Sequence, residues 1–351
     1  MTTLTQIAIT TRKIIRYSIY GLILIAFLRI AFIGGQKLYR KAFPKPPPPP
    51  NYEFGPLPKP YFPPKKDLPS FEFTIETAEG DLPVFPTQAK VYYIPSKLPK
   101  LLTLDATKTK VGALGFRTNP ERVSQTVYKF KHPSVPSVLE INIVSGLFSI
   151  SQDVTDNSAL TNNRPGNPEA IISSVKNYLA GGEFLPEDLS GRTSYELLRI
   201  EGQRLVRAIS LSETNLIKVN LFRKDLDKIP AMTPDPNQAN VWFILSGTPE
   251  SGAKVIAGEY HHLSVDEDKY ATYPIKTAQQ ALEELRAGKG YIANLGLNED
   301  GKVTIRKIYL GYYDSGSLDD RFLEPIIVFQ GDDDFYAYVL AIPEENYKLE
   351  E

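Results

Sequence analysis

The sequence predicts an α+β fold: antiparallel sheets with a few helices on one face, preceded by one membrane-spanning helix and a proline-rich segment. Short apolar runs with period-two alternation outnumber the helical patterns. Several such runs separate one helical pattern from the next, which disfavours an alternating βαβ arrangement. A long apolar stretch near the N-terminus is followed at once by prolines, which indicates an anchor and a spacer.

The apolar stretch covers residues 14–35, enough for one helix to cross about 30 Å of hydrocarbon. Its charged residues, Arg16 and Arg29, can reach the lipid headgroups with their long side chains. Residues 31–35 read Ala-Phe-Ile-Gly-Gly and lack the small-residue pattern of a signal-peptidase site. We therefore expect a retained anchor after a short tail, residues 1–13, rather than a cleaved signal peptide.

Basic residues flank the stretch on both sides in similar numbers, so the positive-inside rule favours neither orientation clearly. Large C-terminal domains translocate largely regardless of such charges, and a proline spacer suits a chain that crosses a surface layer. We expect residues 1–13 to be cytoplasmic and the C-terminal domain to lie outside the cytoplasm, at the cell membrane. The chain has no cysteine, which excludes disulfides and a lipid anchor on cysteine.

Residues 36–69 are rich in proline and include the run Pro46–Pro50. Proline lacks the amide N–H and fixes φ, so this density predicts an extended polyproline II segment. We predict a semi-rigid stalk that reaches on the order of 80 Å. The alternative is a ligand for a proline-binding module, docked around Pro58–Phe62.

From Ser70 onward the composition is that of a folded chain. The whole sequence is 42% hydrophobic and 23% charged, with a formal net charge of −1. A net charge this close to zero does not indicate the basic surface that is typical of nucleic-acid-binding proteins. The segments predicted as strands are residues 138–144, 194–200, 203–211, 216–222, 241–246, 303–313, 325–329 and 335–342.

The helical patterns have recognisable ends. One helix starts after Thr277, which forms a capping box with Gln280, and it ends at a glycine. Another starts after the N-cap Asn167 and ends at the glycines 181–182. A third covers residues 104–114. The first two have apolar residues on one face, and we expect the helices to lie on one face of the sheets.

The segment Met232–Asn237 contains prolines and polar residues and is typical of a linker. We therefore predict two α+β lobes, residues 70–235 and residues 236–343. An acidic tail, residues 344–351, follows them.

The search for catalytic and cofactor motifs is mostly negative. Residues 247–254 resemble a phosphate-binding loop, but Ala253 stands where that loop needs lysine, and the segment joins two strands. His261 and His262 are adjacent in a predicted strand and therefore point to opposite faces, which prevents a shared metal. Asp332–Asp334 lie between two apolar runs, which favours a hairpin turn over a calcium site. We predict no cofactor and no metal site.

The aromatic content is the remaining positive signal, with 20 tyrosines and 17 phenylalanines. Tyr309, Tyr312, Tyr313, Tyr336 and Tyr338 fall on strands that we expect to pair. Tyrosine suits both half-buried strand positions and binding surfaces, because one end packs and the other forms hydrogen bonds. These five residues are the candidate interaction surface, and ordinary sheet packing is the alternative.

Five segments of the C-terminal third resemble a known family: residues 273–285, 288–292, 308–313, 323–329 and 337–339. With these segments, the C-terminal third resembles the extracytoplasmic domain of the YycH/YycI regulatory proteins. The resemblance implies a non-enzymatic domain outside the cytoplasm, in a protein that modulates a membrane sensor kinase through protein contacts. It implies no catalytic residues. The long proline-rich segment departs from that family.

We therefore expect a single-pass, non-enzymatic binding or regulatory module with a protein partner in the membrane or the envelope. One alternative is a hydrolase that acts on cell-wall polymer. It would need carboxylates such as Glu140, Glu201 or Glu259 to converge in a cleft. The other alternative is a structural subunit of an envelope assembly.

Overall fold

The chain divides into two compact units, Met1–Pro49 and Pro50–Glu351. The computed structural model describes residues 4–42, 48–95, 103–152, 163–202, 204–248 and 253–348. Within these residues it contains four α-helices and two β-sheets with mostly antiparallel pairing. The α+β prediction is confirmed.

The elements are numbered in chain order. The helices are α1 (Leu4–Ala42), α2 (Thr103–Ala113), α3 (Pro168–Gly181) and α4 (Ala278–Arg286). The strands are β1 (Glu72–Ile75), β2 (Gln88–Tyr93), β3 (Glu121–Arg122), β4 (Val127–Lys131), β5 (Ser137–Asn142), β6 (Phe148–Gln152), β7 (Thr193–Glu201), β8 (Arg204–Arg207), β9 (Leu216–Leu221), β10 (Ala231–Met232), β11 (Val241–Gly247), β12 (Ala253–Tyr260), β13 (Asp266–Pro274), β14 (Tyr291–Asn294), β15 (Lys302–Tyr313), β16 (Phe322–Gly331) and β17 (Tyr336–Leu340).

The first unit contains α1, a helix without proline that ends at Ala42, two residues before Pro44. A helix ends here because proline cannot donate an amide hydrogen bond and disfavours helical φ and ψ at the residue before it. The segment Thr11–Gln36 is long and apolar enough to cross a membrane and contains the predicted span. Its apolar side chains are exposed, as expected for a surface that meets lipid rather than water.

The nine-stranded sheet has the order β3-β4-β5-β6-β12-β11-β9-β7-β8, and every neighbouring pair is antiparallel. Helices α2 and α3 cover one face of it. The predicted stripe of α3, including Ile171, Val175 and Leu179, is buried in the same core cluster as the sheet residues Phe148 and Phe243. Helix α3 therefore forms where the sequence predicts it, because its apolar face has a sheet to cover.

The eight-stranded sheet contains the path β1-β15-β16-β17-β14, with β10 beside β15 and with β2 joining β13 to β16. Strands β1 and β10 run parallel to β15, and the other pairs are antiparallel. Helix α4 buries Leu282 and Leu285 in one cluster with the sheet residue Phe329. The capping box of Thr277 and Gln280 is present.

The two sheets do not divide the chain at residue 235, where the sequence predicts a boundary between lobes. Strands β11 and β12 follow that position but belong to the nine-stranded sheet, whereas β1 and β2 precede it and belong to the eight-stranded sheet. The predicted linker is also partly a strand, because Met232 in β10 pairs with Tyr313. Each sheet therefore contains strands from both sides of residue 235. This pairing depends on hydrogen bonds between distant segments, which local turn signals do not reveal.

Residues 50–69, predicted as part of an extended stalk, pack against the rest of the second unit, and we call them the strap. Asn51 and Thr272 exchange hydrogen bonds of 3.0 and 2.8 Å, and the ring of Phe62 stacks on Tyr291 with 4.8 Å between ring centroids. Leu57 is fully buried. The stalk prediction is therefore wrong for the strap, because its apolar residues find partners on the sheet. The stalk prediction is also wrong for residues 36–42, which belong to α1, and residues 43–47 lie outside the described residues.

The strap also holds the C-terminal segment. The backbone of Leu57 accepts a 2.8 Å hydrogen bond from Lys348 N and donates one of 2.9 Å to Asn346 O. Tyr347 is buried in the same apolar cluster as Leu57. The predicted acidic tail is thus part of the fold as far as Lys348, and residues 349–351 lie outside the described residues.

Glu324 lies beside Tyr347 of the C-terminal segment, and we expect its carboxyl group to make the stability of the fold depend on pH. Burial raises its pKa from 4.5 to about 8, although a 2.9 Å hydrogen bond from the Tyr347 hydroxyl acts in the opposite direction. Between these two pH values the unfolded chain loses the Glu324 proton while the folded chain keeps it. The free energy of unfolding should therefore fall as pH rises through this window, by at most about 1.4 kcal/mol per pH unit.

The variant Glu324→Gln should remove this part of the pH dependence, because its amide stays neutral at every pH. The measurement is urea unfolding of both proteins at pH 5 and pH 7, followed by the fluorescence of Trp242. Glu345→Gln, at an exposed position, is the control and should keep the wild-type slope. An unchanged slope in Glu324→Gln would contradict the prediction.

Candidate functional site

The five candidate tyrosines do not form one face. Tyr309, Tyr313, Tyr336 and Tyr338 belong to one cluster on the eight-stranded sheet. Tyr312 belongs to a different cluster on the opposite side. Period-two alternation explains the split, because Tyr312 and Tyr313 are adjacent in β15.

The tyrosine cluster is covered by other parts of the chain. The hydroxyl of Tyr313 donates to the carbonyl of Tyr61 in the strap at 3.0 Å, and that of Tyr338 donates to the carbonyl of Thr233 at 3.1 Å. Tyr312, Tyr313 and Tyr338 are buried. These three side chains therefore pack inside the fold. Tyr309 and Tyr336 are half-buried, and their role in recognition stays a prediction.

The three carboxylates considered for hydrolysis are not brought together. Glu140 and Glu259 both lie beside Ser149 in the nine-stranded sheet, on the side away from α2 and α3. One strand separates them, which gives about 10 Å between their Cα atoms. Glu201 lies at the far end of β7 and pairs with Arg199 at 2.6 Å. The three carboxylates therefore do not meet at one point of the sheet.

The two segments that resembled cofactor sites each connect a pair of antiparallel strands. Gly247 pairs with Ala253 in a hairpin whose tip, residues 249–252, lies outside the described residues. Asp332–Asp334 form the turn between β16 and β17, where Asp333 and Asp334 have positive φ. Asp332 pairs with Arg306 at 2.6 Å. Within the described ranges, no three His, Asp or Glu residues are grouped as metal ligands.

The adjacent histidines lie just after β12, which ends at Tyr260, and not within a strand as predicted. His261 is exposed and His262 is buried, so their side chains do point in different directions. His262 lies on the wall of a cavity of about 630 Å³ beside the nine-stranded sheet, which we call the α2 cavity.

The α2 cavity is formed by four short segments. They are one side of α2 from Thr103 to Lys110, the end of β5 with the turn between β5 and β6, the end of α3 with residues 183–186, and the end of β12 with residues 262–264. Its walls are mainly apolar, and an ion pair of 3.1 Å between Lys110 and Glu183 lies at its edge. A volume of this size is within the range of small-molecule sites.

Local chemistry fixes two of these segments. In the β5–β6 turn, the side chain of Asn142 accepts hydrogen bonds from the backbone of Val144 and Ser145 at 3.0 and 3.2 Å. After the end of α3, Glu183 has a φ of 56°, and Phe184 N donates back to Leu179 O at 2.8 Å. This helix ending turns the chain and buries Phe184 beside the cavity.

Behind the cavity lies a buried group of charged residues, which we call the Arg223 network. The Arg223 guanidinium binds Asp188 at 2.6 Å and Asp314 at 2.8 Å, and it donates to the carbonyl of Leu263 at 2.5 Å. His262 Nε2 lies 2.9 Å from the other oxygen of Asp188. The network joins the ends of β9, β12 and β15 to the segment after α3, and so connects the two sheets.

The electrostatics of the network favour charged groups despite their burial. Burial by itself would raise the pKa of Asp188, but the hydrogen bond and charge of His262 and the charge of Arg223 lower it. Burial would lower the pKa of Arg223, but Asp314 and Asp188 raise it. Both groups are therefore held in their ionised forms.

Sequence reasoning missed this network because its members are far apart in the chain. Arg223 is separated from Asp188 by 35 positions and from Asp314 by 91. One signal was available: Arg223 and Asp314 each directly follow a buried apolar strand end, where a charge needs a partner. That signal would identify the two residues but not their pairing.

No family model matches the chain, and no curated protein matches it. Among solved structures, the chain is similar to the crystal structure of an uncharacterized protein from Eubacterium rectale ATCC 33656, determined at 1.45 Å resolution. The two are 12% identical, with a TM-score of 0.36, over 79% of this chain and 91% of that chain.

Proposed function

We propose that this chain is a single-pass membrane protein whose second unit works outside the cytoplasm as a non-enzymatic regulatory module that acts by protein contact. The apolar segment Thr11–Gln36 supports membrane anchoring. The resemblance of the C-terminal third to YycH/YycI proteins supports the regulatory role. The partner would be a protein of the membrane or the envelope, such as a sensor kinase.

One observation carries the proposal of protein contact: three exposed apolar side chains in and just after the edge strand of the nine-stranded sheet. Strand β8 is the outermost strand of this sheet. In and after it, Leu205, Ile209 and Leu211 are 46, 91 and 50% exposed. Natural proteins protect sheet edges with charges, as Arg204 and Arg207 do in β8, whereas exposed large apolar side chains close together in the chain indicate a contact surface. The occupant that fits is an apolar surface of a partner protein.

The absence of cysteine allows a direct test. Single cysteines would replace Ile209 in the edge and, as a control, Leu297, which is 83% exposed in a turn of the other sheet. In intact cells, a membrane-impermeant thiol reagent should label both positions, whereas Thr3→Cys should stay unlabelled. A bifunctional crosslinker should then give a discrete adduct from Ile209→Cys alone.

Two outcomes would overturn the proposal. Labelling of Thr3→Cys alone would place the second unit in the cytoplasm. Equal adducts from Ile209→Cys and Leu297→Cys, or none from either, would remove the edge as a contact surface. If the partner instead co-purifies with this protein at a constant molar ratio in several growth states, the result would favour a structural subunit of an envelope assembly.

A further inference from the structure

A second cavity lies beside α3, on the face of the nine-stranded sheet that the helices cover, and we call it the Lys254 cavity. It is formed by the residues after α2, the connection between β4 and β5, one side of α3, and the point where β11 ends and β12 begins. Leu114, Ile150 and Leu245 make part of its wall apolar. It shares no lining residue with the α2 cavity.

The charged side chains of this wall are all basic. His132 and Lys254 line the cavity, and no Asp or Glu of the described residues does. Both basic side chains are half-buried. Burial and the nearby charge of Lys254 lower the pKa of His132, and burial lowers the pKa of Lys254. The ammonium group therefore lies near the His132 ring, and no carboxylate in the described part of the chain offsets either shift.

Two contacts fix the His132 ring. The backbone N–H of Ser134 donates to Nδ1 at 3.2 Å, and the ring of Phe116 is T-shaped against it, with 5.6 Å between ring centroids. Because Nδ1 accepts a hydrogen bond, the neutral ring carries its proton on Nε2. The lowered pKa favours this neutral ring at pH 7, which leaves Lys254 as the cation of the cavity.

One cation without a counter-charge favours a ligand with one negative charge. An anion beside Lys254 would stabilise the ammonium form that burial disfavours. A phosphate monoester carries about −1.5 to −2 charges at pH 7, which is more than one ammonium group balances. A carboxylate carries a single charge, and it only accepts hydrogen bonds, which suits a wall whose basic groups are donors.

The size of the cavity limits the rest of the ligand. Its volume is about 230 Å³, and a water molecule takes about 30 Å³ of the liquid, so the space holds roughly seven groups of that size. The apolar part of the wall would stabilise a hydrocarbon chain, because burial removes that chain from water.

We propose that the Lys254 cavity binds a short-chain carboxylate such as pentanoate. The carboxylate pairs with Lys254, and the hydrocarbon part packs on Leu114, Ile150 and Leu245. This proposal goes beyond the contact function above. It concerns a different part of the nine-stranded sheet from the β8 edge, and its test does not depend on membrane orientation.

The test is calorimetric titration of pentanoate into the full chain in nanodiscs of uncharged lipid, after subtraction of the heat of empty nanodiscs. Saturable binding with one site per chain is expected. Ser174→Phe should abolish it, because Ser174 on α3 lines the cavity and a benzyl group fills the space. Ser173→Phe is the matched control. Ser173 is the exposed neighbour on α3, does not line the cavity, and like Ser174 donates to a carbonyl four residues earlier.

The role of the charge has its own comparison. Lys254→Met keeps the length of the side chain without the ammonium group and should weaken pentanoate binding about tenfold, whereas Lys302→Met, at an exposed position in β15, should bind like wild type. Pentanamide has the same shape without the charge. It should bind wild type about tenfold more weakly than pentanoate and should not distinguish Lys254→Met.

Four results would overturn the proposal. They are pentanoate heat no greater than that of empty nanodiscs, equal pentanoate binding to Ser174→Phe and wild type, equal losses in Lys254→Met and Lys302→Met, and equal affinity of wild type for pentanamide and pentanoate. Unfolding midpoints identify any variant that fails to fold, and the two ligands compared on wild type decide the question even then. None of these results bears on the contact function of the β8 edge.

Discussion

The variant Arg223→Met is expected to lower the free energy of unfolding by about 3–5 kcal/mol. The guanidinium is 1% exposed and binds both Asp188 and Asp314. Methionine preserves most of the volume but leaves two carboxylates without their shared cation. Removing one partner from a buried ion pair costs far more than the pair itself contributes, because the remaining charge stays out of water.

The measurement is urea unfolding of the full chain in detergent, followed by the fluorescence of Trp242. Arg306→Met is the matched control, because Arg306 also binds two carboxylates, those of Asp332 and Glu76, but is 45% exposed. Water screens that group, so the control should change stability little. Equal losses in the two variants would contradict a special role of burial.

A further variant separates the loss of charge balance from the loss of packing. Adding Asp188→Asn and Asp314→Asn to Arg223→Met removes the uncompensated charges. This triple variant should recover part of the stability lost in Arg223→Met, because neutral amides cost less to bury than carboxylates. No recovery would assign the loss to packing alone.

The second large effect is expected in the strap. Leu57→Ala should lower the free energy of unfolding by about 2–5 kcal/mol, the range found for fully buried leucines. Leu57 is fully buried in a cluster with Val91, Tyr273 and Tyr347. Truncation leaves a cavity between the strap, the sheet and the C-terminal segment. In an extended, solvated stalk, the same substitution would have almost no effect.

Leu68→Ala is the internal control, since Leu68 belongs to the same strap and is 40% exposed. It should change stability by no more than about 0.5 kcal/mol. The comparison uses the same urea titration, and equal effects in the two variants would mean that the strap does not dock as described. Increased proteolysis within the strap of Leu57→Ala would support local detachment.

Local sequence patterns predicted helices and strands well. The capping box at Thr277 and the N-cap Asn167 both form, and the predicted strands coincide with β5, β7, β8, β9, β11, β15, β16 and β17. The predicted segments leave out β1, β2, β3, β4, β6, β10, β12, β13 and β14, and two of these, β12 and β13, have eight and nine residues. Strand β10 pairs through only Ala231 and Met232, so its assignment depends on the neighbour and not on periodicity.

The candidate site was much less predictable. The tyrosines were expected on a sheet face, and four of them do share one cluster, but burial by the strap and by Thr233 could not be read from β15 and β17. His262 was considered only as a metal ligand. Its contact with Asp188 spans 74 positions and depends on the ends of different strands meeting.

The sequence alone determined features that depend on neighbouring residues: an apolar helix long enough for a membrane, the helix caps, and eight of the 17 strands in the described residues. The burial of the tyrosines, the order of the strands in each sheet and the balance of charges around Arg223 were decided only by the tertiary structure. The strap illustrates the reason, because proline density correctly excluded helix and sheet but did not predict docking. Docking depends on contacts such as Asn51 with Thr272, 221 positions apart. Such contacts exist only after distant segments have formed a common surface, and no local pattern encodes them.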